Sequence, residues 1–220
     1  MDFFNLHTHQ GTNRTEVVEL VNQYPQEFNR DIPFYSIGIH PWYINEESLE
    51  VDLVIIESKL QTENCLALGE CGLDKRIDAP FELQQMVFER QLLLAQKYSK
   101  PVVIHCVAAF QEVIEIKKRL NISVPLIIHG FSKNQQIATQ LIGSGFYLSF
   151  GKYLVQSASL GTGLEEVFKK IPENRIFLET DTIDKGIETV YELASNIKGI
   201  SMTEMQEIIS RNFEAVFERK

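Results

Sequence analysis

Cysteine is scarce: Cys65, Cys71 and Cys106 are the only three among 220 residues, and no two stand in a CxxC spacing. An odd, widely spaced set excludes a disulfide framework. With an N-terminus, MDFFNLHTHQ, that lacks a basic stretch before an apolar one, it points to reduced thiols in a cytoplasm. Cys71 and Cys106 read as small apolar fillers rather than nucleophiles. No apolar run approaches the roughly 20 residues that cross a bilayer, so no membrane role is expected. Basic charge is also short: 21 Lys+Arg against 30 Asp+Glu give a net charge of −9, which excludes a broad DNA-coating surface. A nucleic-acid substrate remains compatible, because bound divalent cations invert the local field. There is no low-complexity tract, internal repeat or Gly/Ser- or Pro-rich linker. Residues 1–220 therefore read as a single domain, with no obligate protein partner evident.

Short apolar or β-branched runs recur at 3–7, 34–40, 65–70, 101–106, 125–130, 145–150 and 175–180. Between them lie helical patterns at 46–60, 80–99, 107–120, 133–142, 163–171, 185–198 and 203–218. The clearest is 80–99, where Leu83, Val87, Arg90 and Leu94 recur at helical spacing behind Pro80. Alternation of this kind predicts a parallel sheet covered by helices. Seven strands are expected, and EVVELVN at 16–22 is either an eighth or a short helix. Eight would make a TIM-type (β/α) barrel; seven would make an incomplete barrel or an open sheet.

Histidine is sparse too, with five in the chain, and its placement carries the functional argument. The run FFNLHTHQ sets His7 and His9 two apart, on one face of a strand. Glu70 ends the 65–70 run, His105 the 101–106 run, His129 the 125–130 run and His40 the 34–40 run, while Asp181 follows 175–180. In parallel α/β folds the carboxyl ends of the strands carry the active site. A strand-end histidine taken alone is as compatible with a buried structural role, Glu70 with a buried ion pair and Asp181 with a helix N-cap. Their coincidence at one kind of position points instead to divalent metal of intermediate softness, such as Zn²⁺, Mn²⁺, Fe²⁺ or Co²⁺. Four imidazoles and two carboxylates exceed one closed structural zinc and suit two ions about 3.5–4 Å apart.

The motifs NLHTHQ, GIHPWY, LGECGLD, PVVIHC, IIHGFS, FYLSFG and FLETDT resemble, in order and spacing, those of the TatD-related metal-dependent hydrolases of the amidohydrolase-like superfamily. The resemblance extends to the terminal ISRNFEAVF. It implies a TIM-type barrel with a short second strand, two bound divalent ions per subunit (Mg, Mn, Zn or similar), and hydrolysis of DNA ends. By that resemblance His7 and His9 are ligands of one metal and Glu70 the carboxylate shared by both. His105 and His129 are ligands of the second metal, and Asp181 is a ligand of the first that activates the attacking water. His40 is placed at the mouth of the site, as a substrate contact or a support for a ligand; a histidine bonded into the Pro41 turn is the alternative. Trp42 either stacks on a base or packs beneath its loop. Lys133 and Lys152 stand near the expected mouth, and Asp74 could orient a ligand histidine.

Three departures bear on substrate. Asn5 stands where the family's first motif has aspartate; it lies on the His7/His9 face and could orient a ligand but supplies no charge. Val107 stands two residues after His105, the histidine of the fourth run, where the family has an arginine, so a phosphate-clamping cation is missing. The segment after Asp181, TIDKGIETVYEL, runs almost directly into a helix, shortening the substrate rim. A metal-dependent hydrolase of small amides or esters is the alternative function.

Overall fold

A computed structural model of the chain describes residues 3–12 and 14–218. The strands are β1 (Phe3–Thr8), β2 (Val17–Gln23), β3 (Tyr35–Ile37), β4 (Cys65–Asp74), β5 (Val102–Val107), β6 (Leu126–Ile128), β7 (Tyr147–Phe150) and β8 (Ile176–Leu178). The helices are α1 (Leu49–Leu60), α2 (Phe81–Lys97), α3 (Phe110–Arg119), α4 (Gln135–Gly143), α5 (Lys152–Leu160), α6 (Leu164–Lys170), α7 (Ile187–Lys198) and α8 (Met202–Phe217). Sheet order follows chain order from β1 to β8, and the pairs β2–β3, β3–β4, β4–β5 and β7–β8 are parallel. The ambiguous 16–22 segment is thus a strand. Among the described residues no helix is long and apolar enough to cross a membrane.

The chain divides into two compact units, one of residues up to Leu20 with Ile128 onward, the other of Val21–Ile127. In the first, the opening strand lies beside the last. Thr8 bridges Asp181 in parallel sense, and Asn5 exchanges hydrogen bonds with Thr180: its Oδ1 accepts from the Thr180 N–H at 2.9 Å and its Nδ2 donates to Oγ1 at 2.8 Å. The Tyr191 hydroxyl on α7 serves both backbone groups of Phe4, which keeps β1 in place from the helix side. On α8, Asn212 donates to the carbonyls of Glu173 and Ile176 and so fixes the start of β8. That helix begins with a capping box between Ser201 and Glu204, which satisfies two otherwise unpartnered N–H groups.

In the second unit β4 is the organising strand, and it runs to Asp74, four residues past the expected end. The glycines of LGECGLD explain how. A Cβ at Gly72 would stand 2.0 Å from the His105 carbonyl oxygen, and one at Gly69 2.4 Å from that of Val103, so only glycine lets β4 lie this close to β5. Helix α2 covers the strand with a stripe of Gln84, Val87, Phe88, Gln91, Leu92 and Ala95. Of the positions marked by spacing, Val87 is buried, whereas Leu83, Arg90 and Leu94 flank the stripe half-buried. The displacement has a polar cause. Gln91 takes the Ile39 N–H at 2.7 Å and returns a bond to the Ile39 carbonyl, while Gln84 accepts from the Asp74 N–H at 2.8 Å. These glutamines occupy core positions because they satisfy backbone groups that the strands leave exposed.

Helix α5 is the one element the sequence pattern did not announce. It spans nine residues, KYLVQSASL, between Gly151 and a left-handed Gly161 (φ 65°) that ends it.

Candidate metal centre

The first unit gathers four of the expected ligands. His7 is fully buried, and its ring centroid lies 5.1 Å from that of His9 and 4.5 Å from that of His129. Asp181 reaches the same place by a short route: its N–H donates to the His7 carbonyl at 2.9 Å, and its left-handed backbone (φ 54°) turns the side chain toward His9. Left-handed geometry is tolerated by aspartate better than by most residues. His9 Nε2 and Asp181 Oδ1 stand 3.5 Å apart, and one donor atom from each of His7, His9 and Asp181 falls within 4.8 Å of the others.

A residue that the sequence reading passed over belongs here. Glu179 is wholly buried; its Oε1 accepts the Gly130 N–H at 2.7 Å and lies 3.5 Å from His129 Nδ1. It therefore fixes the chain after His129 and sets a carboxylate beside that imidazole. Its only signal in the sequence was its place two residues before Asp181, on the same face of the chain.

The second unit gathers the rest. His40, Glu70 and His105 bring donor atoms within 4.8 Å of one another. Glu70 Oε1 is 3.2 Å from His40 Nε2 and 3.1 Å from His105 Nδ1, and the Glu70 N–H donates to Asn22 Oδ1 at 2.7 Å. His40 also caps the 3-10 turn Pro41–Tyr43, its Nδ1 accepting the Trp42 N–H at 3.1 Å, so its proton sits on Nε2, facing Glu70. His40 thus closes the turn with one ring nitrogen and faces Glu70 with the other. His105 Nε2 lies 3.3 Å from Asp74 Oδ2, and the Trp42 indole N–H donates to the same oxygen at 2.8 Å. Burial pushes the Asp74 carboxyl up, but the bonds from Trp42, the Arg76 N–H and His105 outweigh it and hold the group below its usual range.

Several expected contacts fall elsewhere. The Asn5 amide is engaged at both ends by Thr180, the residue before Asp181. Trp42 is 57 % exposed instead of packed beneath its loop, because its N–H is anchored on Asp74 at the rim. Lys133 stands half-buried in the loop between Gly130 and α4, and no described contact ties it to the histidines. Lys152 donates to Thr182 Oγ1 at 2.9 Å, beside Asp181. The three cysteines form no disulfide, and burial pushes the Cys65 thiol up to about 12 and Cys71 well above its ordinary value.

The donor chemistry fits divalent metal. Two ligand atoms each about 2.1 Å from a tetrahedral ion lie about 3.4 Å apart, close to the His9–Asp181 separation. When the His105 Nε2–H donates a hydrogen bond to Asp74 Oδ2, its Nδ1 turns a lone pair toward Glu70, an arrangement that calls for a cation. The Asp74–His105 pair is the carboxylate–imidazole support that metal-binding histidines commonly have. Asp74→Asn is accordingly expected to weaken metal binding about 10- to 100-fold while leaving the fold intact. Competitive titration with a chromophoric chelator, alongside thermal melting, reads both quantities; an unchanged affinity would refute the supporting role.

With strand order and strand-end donors established, the class is that of the barrel hydrolases dependent on metal. The model of the TatD related DNase family matches residues 3–218, and the chain belongs to that family. It is 31% identical over 160 residues to an uncharacterized metal-dependent hydrolase of Haemophilus influenzae, covering 70% of this chain and 60% of that protein. It is 28% identical over 218 residues to the Bacillus subtilis uncharacterized metal-dependent hydrolase YabD, covering 92% and 82%. A protein of Erwinia tasmaniensis named 3'-5' ssDNA/RNA exonuclease TatD is 30% identical over 78% of this chain and 65% of its own length. Among solved structures, the TatD homolog YjjV of Escherichia coli superposes with a TM-score of 0.84 at 21% identity, covering 100% of this chain and 99% of that one. The fold is the TIM-type barrel of eight parallel strands, and the protein is a metal-dependent hydrolase of the TatD family.

Proposed function

We propose that the chain is a deoxyribonuclease that cleaves phosphodiesters at DNA ends, with His7, His9, Glu70, His105, His129 and Asp181 holding two divalent ions. One observation carries this reading: imidazoles and carboxylates meet at the carboxyl ends of strands in both units, at distances suited to a shared cation. Such ions, when bound, lower the pKa of water and offset the charge that develops on phosphoryl oxygens. Asp181 takes the proton of the attacking water as general base, held in place by its N–H bond to His7. Asp74 keeps His105 in orientation, and Glu179 holds the chain that follows His129. Cysteines outside any disulfide support a cytoplasmic location, and the family match across 3–218 supports one hydrolase domain over 1–220.

The second reading, hydrolysis of small amides or esters, is favoured by Val107 at the expected arginine position and by the net charge of −9. To choose, chelated protein is reloaded with Mg²⁺, Mn²⁺ or Zn²⁺ and offered end-labelled single-stranded oligonucleotides beside a panel of amides and esters. The proposal expects metal-dependent release of nucleotides from oligonucleotide ends. Turnover confined to the amide and ester panel would reject it.

A further inference from the structure

The second unit holds a cavity of about 360 Å³ beside His40, lined by Tyr24, Gln26, Gly38, Tyr43 and Asp52 among others. Its walls are unlike a phosphate site. No lysine or arginine lines it, and its charged members are Asp52 and Glu27. Asp52 is buried, with Oδ1 accepting from the Gln26 amide and Oδ2 from the Ser48 hydroxyl. An ionised carboxylate has about four acceptor positions, so each oxygen keeps one for a further N–H. The lining is also aromatic: Tyr24 and Tyr43 meet edge to face at 5.3 Å, and Tyr43 lies 5.6 Å from the His40 ring.

Tyr43 is 59 % exposed yet sits on a rigid turn. Pro41 begins that turn, His40 caps it, and the Trp42 indole is pinned to Asp74. Residue Ile39, just before it, is bonded at both backbone groups by Gln91. A ring presented to solvent on a fixed backbone loses little freedom when a planar group stacks on it. Gly38, which lines the cavity, lets the chain lie against β4 there, since a Cβ would meet the Glu70 carbonyl oxygen at 2.9 Å.

We propose that this cavity is a nucleobase subsite for bases carrying an exocyclic amine, with Tyr43 as the stacking platform and Asp52 as the acceptor of the amino N–H. It rests on the nuclease reading and deepens it: the phosphodiester lies toward His40 and Glu70, and the base beside it enters the cavity. Adenine, cytosine and guanine each offer an amino group to Asp52. Thymine offers a single N–H between two carbonyl oxygens, which the carboxylate repels.

The test uses 2′-deoxynucleosides, which contain no phosphodiester, with the metal-free protein and the fluorescence of Trp42 as readout. Deoxyadenosine, deoxycytidine and deoxyguanosine are expected to bind saturably, about tenfold tighter than thymidine. Tyr43→Ala is expected to weaken all four about tenfold through lost stacking, and Asp52→Asn to remove the preference over thymidine. Thermal melting reports whether Asp52→Asn folds; if it does not, the exposed Tyr43 variant and the wild-type preference decide. Equal or better binding of thymidine, no saturable binding, or an unaffected Tyr43→Ala variant each overturns the proposal. Because nucleosides need neither metal nor cleavage, a protein that binds them with this preference but leaves oligonucleotides uncut would defeat only the nuclease reading.

Discussion

Asp181→Asn is expected to lower kcat by about 10²- to 10⁴-fold, the range that a positioned general base contributes. The substitution keeps the side-chain shape and the N–H bond to the His7 carbonyl, so the fold should survive. What it removes is the negative charge 3.5 Å from His9 Nε2 and the capacity to accept a proton. Both losses act on catalysis, and they can be separated. Weaker metal binding is recovered at saturating metal; a missing base is not. Turnover is therefore measured across a metal titration, with bound metal counted at each point. A variant that regains wild-type turnover once saturated would leave Asp181 as a ligand only, and one within about tenfold of wild type throughout would exclude both roles.

The histidines were legible because their information is local. An apolar run that ends in histidine states both the strand and the side-chain position, and His7, His9 and Asp181 meet as that position requires. The residues that hold them were not legible, for a physical reason. Gln91 is informative only through Ile39, 52 positions away, and Asn22 only through Glu70, 48 positions away. In the sequence these are polar interruptions of apolar patterns. The same holds for Glu179, which reads as one more acid beside Asp181 until Gly130 and His129 are placed against it. Strand ends were mislaid where backbone contacts, rather than side-chain alternation, decide them. The third strand stops at Ile37 because Ile39 is taken by a glutamine, and the fourth continues to Asp74 because its glycines admit β5.

That last contact supplies the second large effect. Gly72→Ala is expected to destabilise the protein by about 2–5 kcal/mol, combining overpacking with strain at a left-handed backbone position. Gly72 is paired with His105 across β4 and β5, at φ 146°, and the added carbon would stand 2.0 Å from the His105 carbonyl oxygen, 3.0 Å from its carbon and 3.2 Å from its nitrogen. All three are backbone atoms, so no side-chain rotation relieves the clash; the two strands must separate. Glu70 and Asp74, two residues to either side, are the groups that hold the His105 ring. Separation there displaces ligand and support together, and metal affinity should fall along with stability. Gly143→Ala is the matched control, since its Cβ would meet nothing within 4 Å and its backbone is not left-handed. Chemical denaturation and metal titration of the two variants should diverge sharply. If Gly72→Ala unfolded at the denaturant concentration of Gly143→Ala and kept its metal, the close approach of β4 to β5 could not be what builds this half of the site.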